Sequence, residues 1–140
     1  MWRVVLDHAV LTSALLNPHG PAAQLIDYAL QGRVRLFATP RVVAATGKLL
    51  RTDVMRRRHG MSDKELSLFL ADLPVLLCLV PADKAPRAAR SLEQDLLTCA
   101  TRSHADFVVT SMPLEASGAA QCGTQIMKAD QLVRLVGRGL

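Results

Sequence analysis

The chain has 140 residues, which is the length of one domain with its own core, and half of them are apolar, which excludes a disordered chain. No stretch approaches the ~18 uncharged apolar residues of a membrane span, and no secretory signal opens the sequence, so we expect a cytoplasmic protein. The net charge of +5 and the pI of about 9.6 are compatible with RNA, DNA or an acidic protein as partner.

Strands and helices are predicted to alternate from the first residues onward. A short apolar run, Trp2 to Leu6, predicts a buried strand, and the spacing of the apolar residues from Val10 to Leu15 predicts a helix. Capping residues, prolines and glycines delimit the next elements. These are a second helix from Pro21 to Gly32, a second strand from Val34 to Ala38, and a third helix from Arg41 to about Arg51.

The second half of the chain continues the alternation. A capping box at Ser62 and Glu65 predicts the start of a fourth helix, which we expect Pro74 to stop. The elements predicted after it are a third buried strand (Val75 to Val80), a loop (Pro81 to Arg90), a fifth helix from Ser91, a fourth strand (Phe107 to Thr110), an irregular stretch (Ser111 to Gly123), a last strand (Thr124 to Met127) and a closing helix (Ala129 to Val136).

This alternation predicts the α/β class. Strands separated by helices form right-handed βαβ units, whose strands run parallel in one sheet. We expect a single domain over residues 1–140, with helices on both sides of a central, mostly parallel sheet of four to five strands in a three-layer α/β/α arrangement.

Asp7 is the first candidate functional residue, because it stands where the first strand feeds a helix. In open α/β sheets, ligands bind outside the carboxyl ends of the strands. The alternative is that Asp7 only caps the following helix, a role for which Asp is favoured. His8 beside it suggests a metal ligand or an acid–base group, but neighbouring residues seldom point the same way, so we favour a packed or capping histidine.

The three cysteines, Cys78, Cys99 and Cys122, are far apart and lack the CxxC spacing of a metal site. Cys78 and Cys99 stand within apolar runs. We therefore expect buried free thiols in a reducing compartment, and no cysteine-bound metal.

Several segments, taken in order, resemble one known family. Leu6 to Leu15 reads LDHAVLTSAL, and Ala105 to Thr110 reads ADFVVT. Between them stand Asn17-Pro18-His19-Gly20-Pro21, Gln31-Gly32-Arg33-Val34 and Thr39-Pro40. In this order and spacing the chain resembles the PIN domains, most of all the bacterial group of toxin components of toxin–antitoxin pairs.

The resemblance implies a metal-dependent ribonuclease fold. In that family, three or four carboxylates at the carboxyl end of the sheet hold Mg²⁺ or Mn²⁺, which activates water and stabilises phosphoryl transfer. Asp7 lies over the first family acid and is retained. The other acids fall on residues that cannot replace them, namely Ala45, Gln94, Met112 and Leu114.

The resemblance therefore predicts a PIN-like fold whose nuclease centre has decayed, with no cofactor. One carboxylate does not supply the coordination that Mg²⁺ needs. The alternative is an endoribonuclease that uses Mg²⁺ or Mn²⁺ through relocated ligands, with Glu93, Asp95 or Glu115 as substitutes. Glu93 and Asp95 flank Gln94, and each is rotated by about 100° from it on a helix, so either is expected to reach the cleft only if the helix start is re-registered.

Basic residues suggest the surface that binds a partner. Arg56, Arg57 and Arg58 form the main basic run, and Arg41 and Arg90 bring charge near the predicted cleft. They are candidates for contacts with an RNA backbone, although for the run we slightly favour a solvated helix end. The resemblance also implies an antitoxin-type protein partner and a homodimer, and no membrane partner is expected.

Overall fold

The computed structural model describes residues 1–80, 92–110 and 124–137, with the side chains of 92 and 93 left out. Five strands and seven helices lie in these ranges. The strands are β1 (Trp2–Leu6), β2 (Val34–Ala38), β3 (Cys78–Leu79), β4 (Phe107–Val109) and β5 (Gln125–Met127). The helices are α1 (His8–Leu16), α2 (Pro21–Leu30), α3 (Pro40–Leu50), α4 (Asp53–His59), α5 (Asp63–Leu76), α6 (Leu92–Ser103) and α7 (Ala129–Gly137).

The five strands form one parallel sheet in the order β3-β2-β1-β4-β5. The central strand β1 pairs with β2 on one side, where Val5 lies opposite Phe37, and with β4 on the other, where Leu6 lies opposite Val109. Helices flank the sheet. The predicted α/β class and the predicted mostly parallel sheet are thus confirmed.

The core is built on the central strand. Val4 and Val5 of β1 are fully buried, as a continuous apolar run predicts for a strand covered on both faces. Helix α6 packs against β1, β2 and β4, and α2 packs between α1 and α7. At the amino end of the sheet, the rings of Trp2 and Phe107 meet edge to face with their centroids 5.0 Å apart.

The region around Pro74 differs from the sequence prediction. Pro74 does not stop α5, which continues to Leu76, where the amide of Leu77 donates to the carbonyl of Leu73 over 2.8 Å. A proline near the last turn removes one amide from the helix, and the later bonds hold the turn. Consequently Val75 is helical and 85% exposed, and β3 is a two-residue edge strand rather than a six-residue buried one.

The basic run lies on a short helix that the sequence reading did not predict. Thr52 caps the start of α4, and Gly60 ends it with a φ of 63°, a left-handed conformation that glycine adopts without strain. The predicted loop at 81–90 and the irregular stretch at 111–123 lie outside the described residues. Across the described ranges, no helix combines the length and the apolar character needed to cross a membrane.

Candidate functional site at the carboxyl edge of the sheet

Three polar residues directly follow the three central strands. Asp7 follows β1, Thr39 follows β2 and Thr110 follows β4. The register of the sheet places Asp7 between the two threonines, because Leu6 pairs with Val109 and Val5 pairs with Phe37. All three residues are buried, so they form a polar row under the carboxyl edge where α/β proteins bind ligands.

The Asp7 carboxylate is fully engaged inside this row. One oxygen accepts a hydrogen bond from the backbone amide of Val10 over 2.9 Å, which makes Asp7 the N-cap of α1. The other oxygen accepts a short hydrogen bond from the hydroxyl of Thr110. Asp7 is 0% exposed, so no solvent reaches it in this arrangement. Its predicted capping role is confirmed, and its location at the sheet edge is the one that the site hypothesis requires.

A second buried carboxylate, Asp95, reaches the same edge from α6. It is 1% exposed, and its oxygen accepts a hydrogen bond from the Thr39 hydroxyl over 2.6 Å. The same hydroxyl oxygen accepts from the amide of Val42 and so caps α3. The expectation that Asp95 reaches this region only with a re-registered helix start is wrong, because the helix turns Asp95 inward while Gln94 remains exposed.

Cys99 lies one helical turn after Asp95 and is buried. Burial, and secondarily the negative charge of Asp95, raise the pKa of the Cys99 thiol to about 12. The thiol is therefore protonated at neutral pH, and a protonated thiol is neither a nucleophile nor a metal ligand. Cys99 and the half-buried Cys78 are both free, as predicted, and Cys122 lies outside the described residues.

The described carboxylates do not fit a catalytic magnesium ion. Within the described ranges, no group of three or more histidine, cysteine or acidic side chains is close enough to hold a metal. Mg²⁺ keeps several water ligands, which a 0% exposed Asp7 leaves no room for. Ala45 on α3 carries no donor atom. The Glu93 side chain and Glu115 lie outside the described residues.

Three neighbouring pockets lie around α1 and share lining residues, and we call them together the α1 groove. The first, of about 420 Å³, lies between α1, the start of α2 and the start of α7. The second, of about 390 Å³, lies between α1 and α4, and the third, of about 300 Å³, lies between the start of α1 and α3. Ala9 and Ser13 line the first two pockets, and Leu49 lines the second and third.

Comparison with known proteins identifies the family to which the chain belongs. The PIN domain sequence profile matches residues 3–111, which is more than three quarters of the chain. The chain belongs to the PIN domain family. No curated protein matches the chain. The matched range covers β1 through β4, so it includes the whole polar row of Asp7, Thr39 and Thr110.

The side chains of the predicted basic run of this PIN domain lie in different surroundings. Arg56 forms an ion pair with Asp63 over 2.5 Å, and its side chain donates to the carbonyl of Arg51 over 3.0 Å. Arg57 and Arg58 are exposed on the last turn of α4, but only Arg58 lines the α1 groove. Arg41 lies in the first turn of α3, and Arg90 is outside the described residues.

Sequence reasoning missed the residues that complete the site. It did not predict the hydrogen bonds from Thr39 to Asp95 and from Thr110 to Asp7. Both threonines nevertheless stand at the ends of predicted strands that reach the same edge of the sheet. It gave no role to Lys128 or Lys48. Those two lysines line the first and third pockets, a position that depends on how α3 and α7 pack around α1.

Proposed function

We propose that this PIN domain acts by binding RNA and does not cleave it, as a catalytically silent relative of the toxin–antitoxin ribonucleases. The observation that carries the proposal is the burial and the hydrogen bonding of the Asp7 carboxylate. The family acid is buried, and both of its oxygens accept hydrogen bonds from within the protein, one from Val10 and one from Thr110. A carboxylate in this state caps a helix and joins two strand ends.

The proposal favours RNA over a protein partner because of charge. The chain carries a formal charge of +5, and each pocket of the α1 groove holds one exposed basic side chain. Neutralising phosphates with lysine and arginine supplies most of the sequence-independent affinity for nucleic acids. An antitoxin-type protein partner stays a prediction from the family resemblance.

The test is cleavage of a labelled RNA by the purified protein in Mn²⁺, beside an Asp7→Asn variant and an EDTA control. Asparagine keeps the helix cap and nearly the same volume but removes the charge that a metal needs. We expect intact RNA with both proteins. Cleavage that requires metal and disappears in Asp7→Asn would contradict the proposal.

A second candidate function is a Mg²⁺- or Mn²⁺-dependent endoribonuclease with relocated ligands. The observation in its favour is Asp95, which brings a second carboxylate to the edge where Asp7 lies. Glu93 in the first turn of α6 and Glu115 after β4 would then supply the remaining oxygens. Glu93→Gln and Glu115→Gln variants test it, since an enzyme of this design loses metal-dependent cleavage with either substitution.

A further inference from the structure

We propose that the α1 groove holds three successive nucleotides of single-stranded RNA, with Lys48, Arg58 and Lys128 each at one phosphate. The inference rests on the proposed function and adds the path of the strand. The groove lies around α1, and Thr110, which donates to the buried Asp7, lines its first pocket. It therefore differs from the basic run on α4, of which it uses only Arg58.

The charges of the groove are available to a ligand. Lys48, Arg58 and Lys128 are all exposed. None of the three forms an ion pair with a carboxylate of the described residues. The acidic side chain that lines the groove is Asp130 in the first pocket, and it pairs with Arg134 over 3.7 Å. Among the described residues, each pocket thus contains one basic side chain that forms no ion pair.

The shape of the groove suits a chain of linked units. Each pocket has the size of a small ligand site, and Ala9, Ser13 and Leu49 each line two neighbouring pockets. Ala9 and Ser13 are one helical turn apart on the same face of α1, and both are small. A flexible polyanion that crosses α1 at these small residues can therefore contact neighbouring pockets.

The same features favour a single strand and weak base preference. A duplex keeps its bases inside, whereas separate concave pockets accommodate splayed nucleotides. No Trp, Tyr or Phe ring lines the three pockets, and the imidazole of His8 in the third pocket is a small ring, so base stacking contributes little there. Contacts to the backbone then dominate, and such contacts make the affinity strongly dependent on salt.

The third pocket also contains His8. His8 lines it with Lys48 and Thr52, and the Nδ1 atom of His8 is buried with no hydrogen-bond partner among the described residues. The small side chain of Ala45, where the family has a glutamate, leaves this space open. A carboxylate at that position would repel a phosphate, and its absence removes the repulsion.

The first experiment measures binding of a labelled single-stranded RNA by fluorescence anisotropy over a range of salt concentrations. Each lost phosphate contact reduces the slope of log affinity against log salt by about 0.7, which corresponds to about a fivefold loss of affinity at ~0.1 M salt. We expect this loss for Lys48→Ala, Arg58→Ala and Lys128→Ala, and about a hundredfold loss for the triple variant.

Arg57→Ala is the matched control, because it removes the same charge from the same exposed turn of α4 without lining the groove. We expect its affinity to change less than twofold. An equal loss with Arg57→Ala and Arg58→Ala would overturn the proposal in favour of a diffuse basic surface. A triple variant that binds like the wild type would overturn it as well.

The second experiment places a charge on the floor of the groove. Ser13 is exposed in the middle of α1 and lines two pockets, so Ser13→Glu adds a negative charge between two predicted phosphates. Ser13→Gln has nearly the same size and no charge. We expect Ser13→Glu to bind at least fivefold more weakly than Ser13→Gln. Equal affinities for the two variants would contradict the path.

The failure of this path and the failure of the proposed function give different results. If the wild type does not bind RNA at low salt, the proposed function and the path both fall. If the wild type binds RNA and the groove variants bind equally well, only the path falls. Tighter binding of a duplex than of the single strand would also overturn the path.

Discussion

At the scale of single residues, Asp7 links the ends of two strands to the start of a helix. Its oxygens accept from the amide of Val10 and the hydroxyl of Thr110, and the residue is buried. An N-cap contributes about 1 kcal/mol, and a buried hydroxyl left without its acceptor costs about 1–3 kcal/mol. The stability of the fold is therefore one physical reason for an aspartate at this position.

The first prediction concerns the stability of Asp7 variants. We expect Asp7→Ala to lower the free energy of unfolding by about 2–4 kcal/mol, because it removes both the cap and the acceptor of Thr110. Asp7→Asn keeps a capping oxygen and an amide that Thr110 can bond, so we expect a smaller loss. Urea denaturation of the two variants measures the difference, and equal stability of Asp7→Ala and the wild type would refute the structural role.

The sequence predicted Asp7 and its capping alternative, but it misjudged Asp95. Helical rotation correctly separates Gln94 from Asp95, yet the direction in which α6 faces depends on its packing against β1 and β2. That packing turns Asp95 towards Thr39. A resemblance between sequences fixes positions along a helix, and only the packed fold decides which of them is buried.

The second prediction concerns Cys99. The pKa of the Cys99 thiol is about 12 in the folded protein, whereas the thiol of an unfolded chain has a pKa of about 9. Ionisation therefore favours the unfolded chain, so the stabilising contribution is fully present below pH 9 and is lost as the pH rises towards 12. We expect the free energy of unfolding to fall less steeply above about pH 9 in Cys99→Ala than in the wild type.

Alkylation gives an independent check on Cys99. A buried, protonated thiol resists iodoacetamide in the folded protein and reacts once urea unfolds the chain. The half-buried Cys78 serves as the internal reference within the same sample. Mass spectrometry that finds Cys99 modified as fast as Cys78 under native conditions would contradict the burial of the thiol.

At the scale of elements, the end of α6 shows how a helix can terminate in a left-handed residue that is not glycine. His104 follows α6 with a φ of 53°, and the amide of Ala105 donates to the carbonyl of Ala100, as in a helix ending with a left-handed residue. This conformation costs an L-residue about 1–2 kcal/mol relative to glycine. The strain is stored at a turn that leads directly into β4.

The third prediction follows from that strain. We expect His104→Gly to raise the free energy of unfolding by about 1 kcal/mol, because glycine adopts a positive φ without a steric penalty. Gly60 also has a positive φ, so Gly60→Ala should lower stability by a similar amount. Thermal denaturation of both variants measures the two changes in stability. A His104→Gly variant that is less stable than the wild type would contradict the positive φ at residue 104.

The positions of β1, β2, β4 and most helices followed from apolar spacing and caps, since their patterns are long or their boundaries are marked by proline, threonine or serine. The boundary between α5 and β3 did not. Val75 to Val80 is apolar throughout, and such a run does not distinguish a buried strand from the end of a helix. The hydrogen bonds of the last helical turn, which the sequence does not display, decided the boundary.

At the scale of the whole molecule, the formal charge of +5 and the basic side chains around α1 both support the proposed binding of RNA. Around α1 the protein exposes Lys48, Arg58 and Lys128, while the carboxylates of Asp7 and Asp95 are buried underneath. A polyanion that approaches this face meets exposed cations. Because the two carboxylates are buried, no metal ion is needed to offset their charge. The homodimer that the family resemblance implies stays a prediction.

The measurement that tests this account most directly combines binding and integrity of one RNA sample. A labelled single-stranded RNA is incubated with the protein in Mn²⁺, its anisotropy is recorded, and its length is then determined on a denaturing gel. The account predicts a bound RNA of unchanged length, with an affinity that falls steeply as salt is added. RNA that is shortened by the wild type and left intact by Asp7→Asn would contradict the account and establish a working nuclease.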